Sequence, residues 1–183
     1  MYNKEKMIQG IELFLEGLGQ DLDDQHLRNT PKRVTKAWIN TFGSGYSQKI
    51  EDILNVEFTE TYDEMVVIKD IPFISFCAHH VIPFTGVAKI GYIPNGKVTG
   101  LSKLARLLDM YAHRLQIQER LTDQIAKAIN EQLQPKGIGV VLQAEHMCMT
   151  RRGVQKPGSI TITSTLIGAM KNNDETRQEF LSF

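Results

Sequence analysis

Cysteine is scarce in this 183-residue chain: Cys77 and Cys148 are the only two. That count excludes a four-cysteine structural zinc site. A disulfide between them is disfavoured in a reducing compartment. Three uses stay open: a mixed Cys/His metal site, a catalytic thiol, or two buried inert thiols. Long apolar runs are also absent. None approaches the roughly 18 to 20 residues of a membrane span. The opening MYNKEKMIQG turns amphipathic at once and lacks the apolar core of a signal peptide. A soluble, cytoplasmic protein is expected. Charge of one sign is missing too. Lys and Arg (21) balance Asp and Glu (21), which argues against a general binder of nucleic acid or other polyanions but leaves room for a local basic pocket. There is no internal repeat, no low-complexity stretch and no Rossmann glycine fingerprint.

Periodicity is what the chain does have. Met7, Ile8, Ile11, Leu13, Phe14 and Leu15 recur at near-helical spacing and end in Gly17-Leu18-Gly19. A second helix starts at Thr30 as N-cap with Pro31 at the first helical position, and stops at Gly43-Ser44-Gly45. Residues 46–62 carry no sustained pattern and read as a connector. From Met65 the texture turns β-branched and aromatic, over 65–70 and 84–92, with turn signals at Ile71-Pro72 and Pro94-Asn95-Gly96. The Asn-Gly turn predicts a hairpin returning through 97–99. Two helices follow, one from Ser102 with Leu104, Leu107, Leu108 and Tyr111. The other carries the stripe Ile117, Leu121, Ile125, Ile129 and Leu133. Strands over 138–144 and 159–166 and a short polar helix over 174–183 complete the chain. Helix, helix, then ββααββ predicts an α+β fold: an antiparallel sheet with two helices on one face, preceded by N-terminal helices. The expected division is a helical extension over 1–62 and a catalytic domain over 63–183.

Cys77-x-x-His80 is a spacing that a tight turn closes on one ion. In extended chain His146 and Cys148 share a face, leaving Met147 and Met149 to the core. Cys77, His80 and Cys148 form a soft thiolate–imidazole set suited to zinc. Three protein ligands with an open fourth position is the pattern of a catalytic site. His146 is then placed as a general acid/base, conditional on the metal. Gly100-Leu101-Ser102-Lys103 opens a helix whose free N–H groups favour anions, with Lys103 and Arg106 on one face beside it. Arg33, Lys36, Arg151 and Arg152 add cations that read as a polyphosphate site or as a solvated basic surface. Glu119 lies off the apolar stripe, either solvated or accepting paired hydrogen bonds from a guanine or pterin edge.

The segments TPKRVTKA (30–37), CAHHVIPFTGVAKIGYIPNGKVTGLSKLARLL (77–108), RLQIQERLTDQIA (114–126) and HMCMTRRGVQKPGS (146–159) together resemble the zinc-dependent GTP cyclohydrolase I family. The resemblance implies the tunnelling fold and a homodecamer of two pentamers with active sites between subunits. It implies Zn²⁺ on Cys77, His80 and Cys148, and GTP as substrate. Its chemistry is hydrolytic opening of the imidazole ring at C8, release of formate and rearrangement to 7,8-dihydroneopterin triphosphate. His146 matches the group that protonates purine N7, His79 a second pocket residue and Ser102 the residue of the ribose steps. Glu119 matches the guanine anchor, with Gln118 beside it. Lys103, Arg106, Arg152, Arg33 and Lys36 match triphosphate contacts. Two other readings are a tunnelling-fold nitrile reductase, which uses a cysteine nucleophile and a nicotinamide cofactor, and a non-catalytic zinc-stabilised nucleotide-binding oligomer. The family usually reads Cys-Glu-His-His where this chain has Ala78. His79, adjacent to a ligand, is expected to diverge from it.

Overall fold

The structure, a computed structural model, describes residues 2–55 and 57–183. Met1, in the expected amphipathic opening, and Val56, in the expected connector, lie outside the described residues. Helix α1 (Lys4–Gly17) begins with Asn3 capping the Lys6 N–H. Helix α2 (Thr30–Ala37) has Pro31 in its first turn and continues as a π-helical turn, Trp38–Phe42, before Gly43. Its flanking residue is Asn29 rather than Thr30. Thr30 already has helical backbone and its hydroxyl donates to His26 O.

The stretch expected to be a connector holds a 3₁₀ turn (Ser44–Ser47), the single-turn helix α3 (Ile50–Ile53) and strand β1 (Glu57–Thr59). Ile53 and Leu54 are buried in the main core. Gly45 is where the 3₁₀ turn touches the body of the protein. A Cβ there would stand 1.9 Å from Met110 O, so only glycine permits the approach.

Strand β2 (Val66–Cys77) and strand β3 (Pro83–Ile93) form the first long antiparallel pair. Ile71-Pro72 is not a turn. The register shifts between Ile68 and Ile71, with Asp70 at φ 57°, so the proline follows a bulge and the strand runs on. The Asn-Gly hairpin is likewise absent. Strand β4 (Lys97–Thr99) pairs with β1 instead of folding back on β3. Helix α4 (Leu101–Ala112), the two-residue strand β5 (Leu115–Gln116) and helix α5 (Gln118–Leu133) follow. Strand β6 (Gly137–His146), the helical turn α6 (Met147–Thr150), strand β7 (Thr161–Gly168), the turn α7 (Ala169–Asn172) and helix α8 (Asp174–Ser182) complete the chain.

The five-stranded sheet has the order β5-β2-β3-β6-β7. It is antiparallel throughout except for the short β2–β5 pair, which is parallel. The ββααββ order of the tunnelling fold is present in β2, β3, α4, α5, β6 and β7.

Strand alternation sorts the two faces. Phe84, Ala88, Ile90 and Tyr92 of β3 and Ile138, Val140, Leu142 and Ala144 of β6 enter one core with Leu104, Leu107 and Leu108 of α4 and Leu121, Ile125 and Ile129 of α5. Each of the Leu, Ile, Val and Phe side chains among them contributes roughly 1.5–3 kcal/mol by leaving water. The opposite face is covered by α8, whose Phe180 is fully buried with Val141 and Met170. The Phe180 ring fits a socket left by two glycines: a Cβ on Gly139 would lie 2.4 Å from it and one on Gly91 2.9 Å. Lys69 and Lys89 donate to the carbonyls of Phe183, and of Phe180 and Leu181, at the end of the same helix. Phe180→Ala is therefore expected to cost about 3–5 kcal/mol, measured as a lower denaturation midpoint. An unchanged midpoint would show α8 to be outside the cooperative core.

Candidate metal centre and active site

The metal loop is built where β2 ends. Cys77 O accepts from both His80 N (3.3 Å) and Val81 N (2.8 Å), and Cys77 N donates to Ile82 O at 2.9 Å. This closes the chain into a tight turn. Val81, at φ 55°, takes the left-handed conformation that returns the chain into β3. Ala78 N donates to Gln116 O at 2.8 Å, tying the turn to β5. Behind it, Trp38 and Phe42 pack on Phe76 with ring centroids 4.7 and 4.9 Å away, so the N-terminal helices brace the strand that carries Cys77.

The turn brings Cys77 and His80 together, and β6 delivers the third donor. Ligand atoms of Cys77, His80 and Cys148 all lie within 4.8 Å of one another, with His80 Nδ1 3.8 Å from Cys77 Sγ. Donors bound at ~2.0–2.3 Å to one tetrahedral ion stand roughly 3.3–3.8 Å apart, so the set needs little rearrangement to hold one. The electrostatics point the same way. Burial, and then the neighbouring Cys77 sulfur, push the Cys148 thiol above its ordinary value. Two adjacent sulfurs resist becoming thiolates together until a cation joins them. The donor set thus fits zinc.

Two local expectations are corrected here. Cys148 is not in extended chain: β6 stops at His146, and residues 147–150 form the helical turn α6. Consequently Met147 (39% exposed) and Met149 (37%) reach the surface rather than the core. His79 does not diverge from the sulfur either. Its Nδ1 lies 3.7 Å from Cys77 Sγ, and its ring sits 6.2 Å from that of His80 at 72°. Divergence of neighbours belongs to strands; in a tight turn successive side chains fan out by much less, and both imidazoles approach the thiol.

Arg152 is also at this cluster, with its Nη1 2.5 Å from His80 Nε2. His146, at the end of β6, stacks face to face on Phe84, with centroids 4.4 Å apart and planes within 5°. Its Nε2 lies 2.7 Å from Gln118 Oε1. Burial pulls the His146 imidazole below its ordinary pKa, while the negative charge of Glu119 works in the opposite sense. Glu119 is exposed in the first turn of α5. Gln118 is not presented to a ligand: it is 1% exposed, and both ends of its amide are engaged inside the protein.

The remaining candidates stand on other elements. Ser102, Lys103 and Arg106 lie at the start of α4, where Lys103 Nζ donates to Asn55 Oδ1 at 2.8 Å. Arg33 and Lys36 are exposed on α2. Among the described residues, none of these cations forms an ion pair with a carboxylate. Sequence reasoning missed Phe84, Thr122 and Thr163, which support His146 and Gln118. Their only signal is alternation, which puts Phe84 and Thr163 on the inward face of their strands.

Ala78 is exposed in the metal loop beside these groups. Introducing the carboxylate with Ala78→Glu is expected to leave stability within about 0.5 kcal/mol. Bound zinc should be unchanged, and turnover should shift by at most about 10–100-fold. Identical turnover and pH profile would show the position to be neutral; loss of zinc would place it among the groups that hold the metal.

Comparison with known proteins agrees with this geometry. The GTP cyclohydrolase I family profile matches residues 7–183. The chain is 51% identical over 178 residues to GTP cyclohydrolase 1 of Gloeobacter violaceus, covering 97% of this chain and 83% of that one. It is also 51% identical over 183 residues to GTP cyclohydrolase 1 of Streptococcus agalactiae, covering 100% of this chain and 97% of that one. Among solved structures, the apo form of the archaeosine synthase QueF-Like aligns with TM-score 0.48 and 17% identity, over 57% of this chain and 93% of that one. With a zinc-type donor set and a histidine beside it in a sequence matched almost end to end, this chain belongs to the GTP cyclohydrolase I family.

Proposed function

We propose that this protein is a zinc-dependent GTP cyclohydrolase that opens the imidazole ring of GTP, releases formate and yields 7,8-dihydroneopterin triphosphate. The observation that carries the reading is the meeting of Cys77, His80 and Cys148 within 4.8 Å, in a chain of this family, two residues from His146. Those three residues would hold Zn²⁺, whose chemistry is to activate water for attack at purine C8.

The protein's own groups supply the rest. His146 exchanges a proton with N7 of the purine, backed by Phe84 on one ring face. Exposed Glu119, close enough for its charge to act on His146, accepts hydrogen bonds from the guanine edge. His79, beside Cys77, lines the pocket, and Ser102 serves the ribose steps. Lys103, Arg106, Arg152, Arg33 and Lys36 bind the triphosphate, which suits cations without carboxylate partners.

One chain offers this site as an open surface. His79, His80, Glu119 and Arg152 are all exposed. The apolar residues Leu13 (68%), Val154 (64%) and Ile162 (62%) also face outward. Among the described residues, strand β7 leaves one sheet edge unpaired. These features support a homo-oligomer, a decamer of two pentamers, with each site completed by a neighbour. No described helix is long and apolar enough to cross a membrane, and a cytoplasmic location goes with this reading.

Incubation with GTP tests the proposal. Formate and an oxidisable fluorescent pterin in equal amounts are expected. Consumption of NADPH with a 7-cyano-7-deazaguanine substrate would instead identify a nitrile reductase, and bound zinc without any turnover would identify a nucleotide-binding scaffold.

A further inference from the structure

The buried surroundings of Gln118 fix more than its own position. Gln118 Nε2 lies 3.1 Å from each of three acceptors: Leu142 O, Thr161 O and Thr163 Oγ1. Two of these are carbonyls, which can only accept, so the end of the amide facing them is the NH₂, whose two hydrogens are shared among the three acceptors. The hydroxyl directions agree. Thr122 Oγ1 donates to the backbone carbonyl of Gln118 at 2.7 Å, which uses its proton. Thr163 Oγ1, 2.6 Å from Thr122 Oγ1, must therefore donate to it and keep its lone pairs for Gln118 Nε2. A closed circuit results: Gln118 amide to Thr163, Thr163 to Thr122, Thr122 to Gln118 carbonyl. It pins the first turn of α5 to β6 and β7, with its members buried or half-buried.

The other end of the amide is then an oxygen, and it faces His146 Nε2 at 2.7 Å. An amide oxygen cannot donate, so Nε2 must carry a hydrogen. Phe84, fully buried and parallel to the imidazole at 4.4 Å, closes one face of the ring against reorientation. We propose that Gln118 is a positioning residue that holds neutral His146 as the Nε2–H tautomer, leaving Nδ1 as the atom that exchanges a proton with the substrate. This rests on the reading of His146 as the proton partner of the purine. It reassigns Gln118 from guanine recognition to the orientation of that histidine.

The test pairs a spectrum with kinetics. In the zinc-loaded protein labelled with ¹⁵N-histidine, the resonances lost in His146→Gln identify His146. The proposal expects a protonated Nε2 and an unprotonated Nδ1 in the neutral ring; the opposite tautomer overturns it without reference to turnover. Gln118→Met keeps much of the volume and removes both polar ends. It is expected to lower kcat by about 10–100-fold with KM for GTP and zinc content unchanged. A raised KM with normal kcat would return Gln118 to substrate contact and overturn the proposal. If Gln118→Met does not fold, the spectrum of the unaltered protein decides. Full turnover in His146→Gln would remove the underlying reading, whereas loss there with normal kcat in Gln118→Met would remove the positioning role alone.

Discussion

Cys148→Ser yields a folded protein that retains little zinc and has lost GTP turnover by more than about 100-fold, beyond the cost of losing a group that only orients a metal ligand. The expectation follows from how the donor set is assembled. Cys77 and His80 come from one tight turn and constrain each other, whereas Cys148 arrives from the far end of β6 on the short helical turn α6. Serine is a harder and far less acidic donor, so two ligands from one loop remain where three from two elements had been. Stability should hold, because Cys148 is only half-buried and its place is not in the middle of the main core. Met149→Leu, one residue on and 37% exposed, is the control and should keep both zinc and turnover. Metal analysis of the purified variants checks this. A Cys148→Ser protein with full zinc and full turnover would remove Cys148 from the metal site.

His146→Ala should behave differently. Zinc content stays at the level of the unaltered protein, while kcat falls by about 10²–10⁴-fold, the range over which a positioned general acid or base contributes. His146 is held by Phe84 and Gln118 from the side away from solvent, so its removal takes out a proton-transfer group without touching the three donor atoms. The measurement is kcat alongside zinc stoichiometry in the same preparation. A fall in both together would mean that His146 supports the metal; an unchanged kcat would mean that it takes no part in the chemistry.

These two residues also show how much was legible in the sequence. Cys77-x-x-His80 could be read as a turn-closed pair, because the spacing alone limits what the backbone does there. The stripe Ile117, Leu121, Ile125, Ile129 and Leu133 reads as a buried helix face; the last four are buried on α5, whereas Ile117 stands in extended backbone just before the helix and is half-buried. The errors share a cause: local signals were overridden by pairing that is distant in sequence. Pro72 looked like a strand end because proline cannot donate to a ladder, yet a bulge at Asp70 lets β2 continue past it. Asn95-Gly96 looked like a hairpin, but β4 found β1 as its partner. Strand alternation points Met147 and Met149 to the core, but the chain turns helical at Met147 and the alternation no longer applies. The role of Gln118 lay beyond sequence reading altogether. Its meaning comes from Leu142, Thr161 and Thr163, brought to it by two strands that follow it in the chain.

The central claim is that a metal held by Cys77, His80 and Cys148 is required for the reaction on GTP. The most direct measurement follows formate release from GTP before chelation, after chelation and dialysis, and after return of one equivalent of Zn²⁺ per chain. Turnover should vanish with the metal and come back with it, with the protein folded throughout. Formate release that continues at the original rate in protein stripped of zinc would contradict the claim.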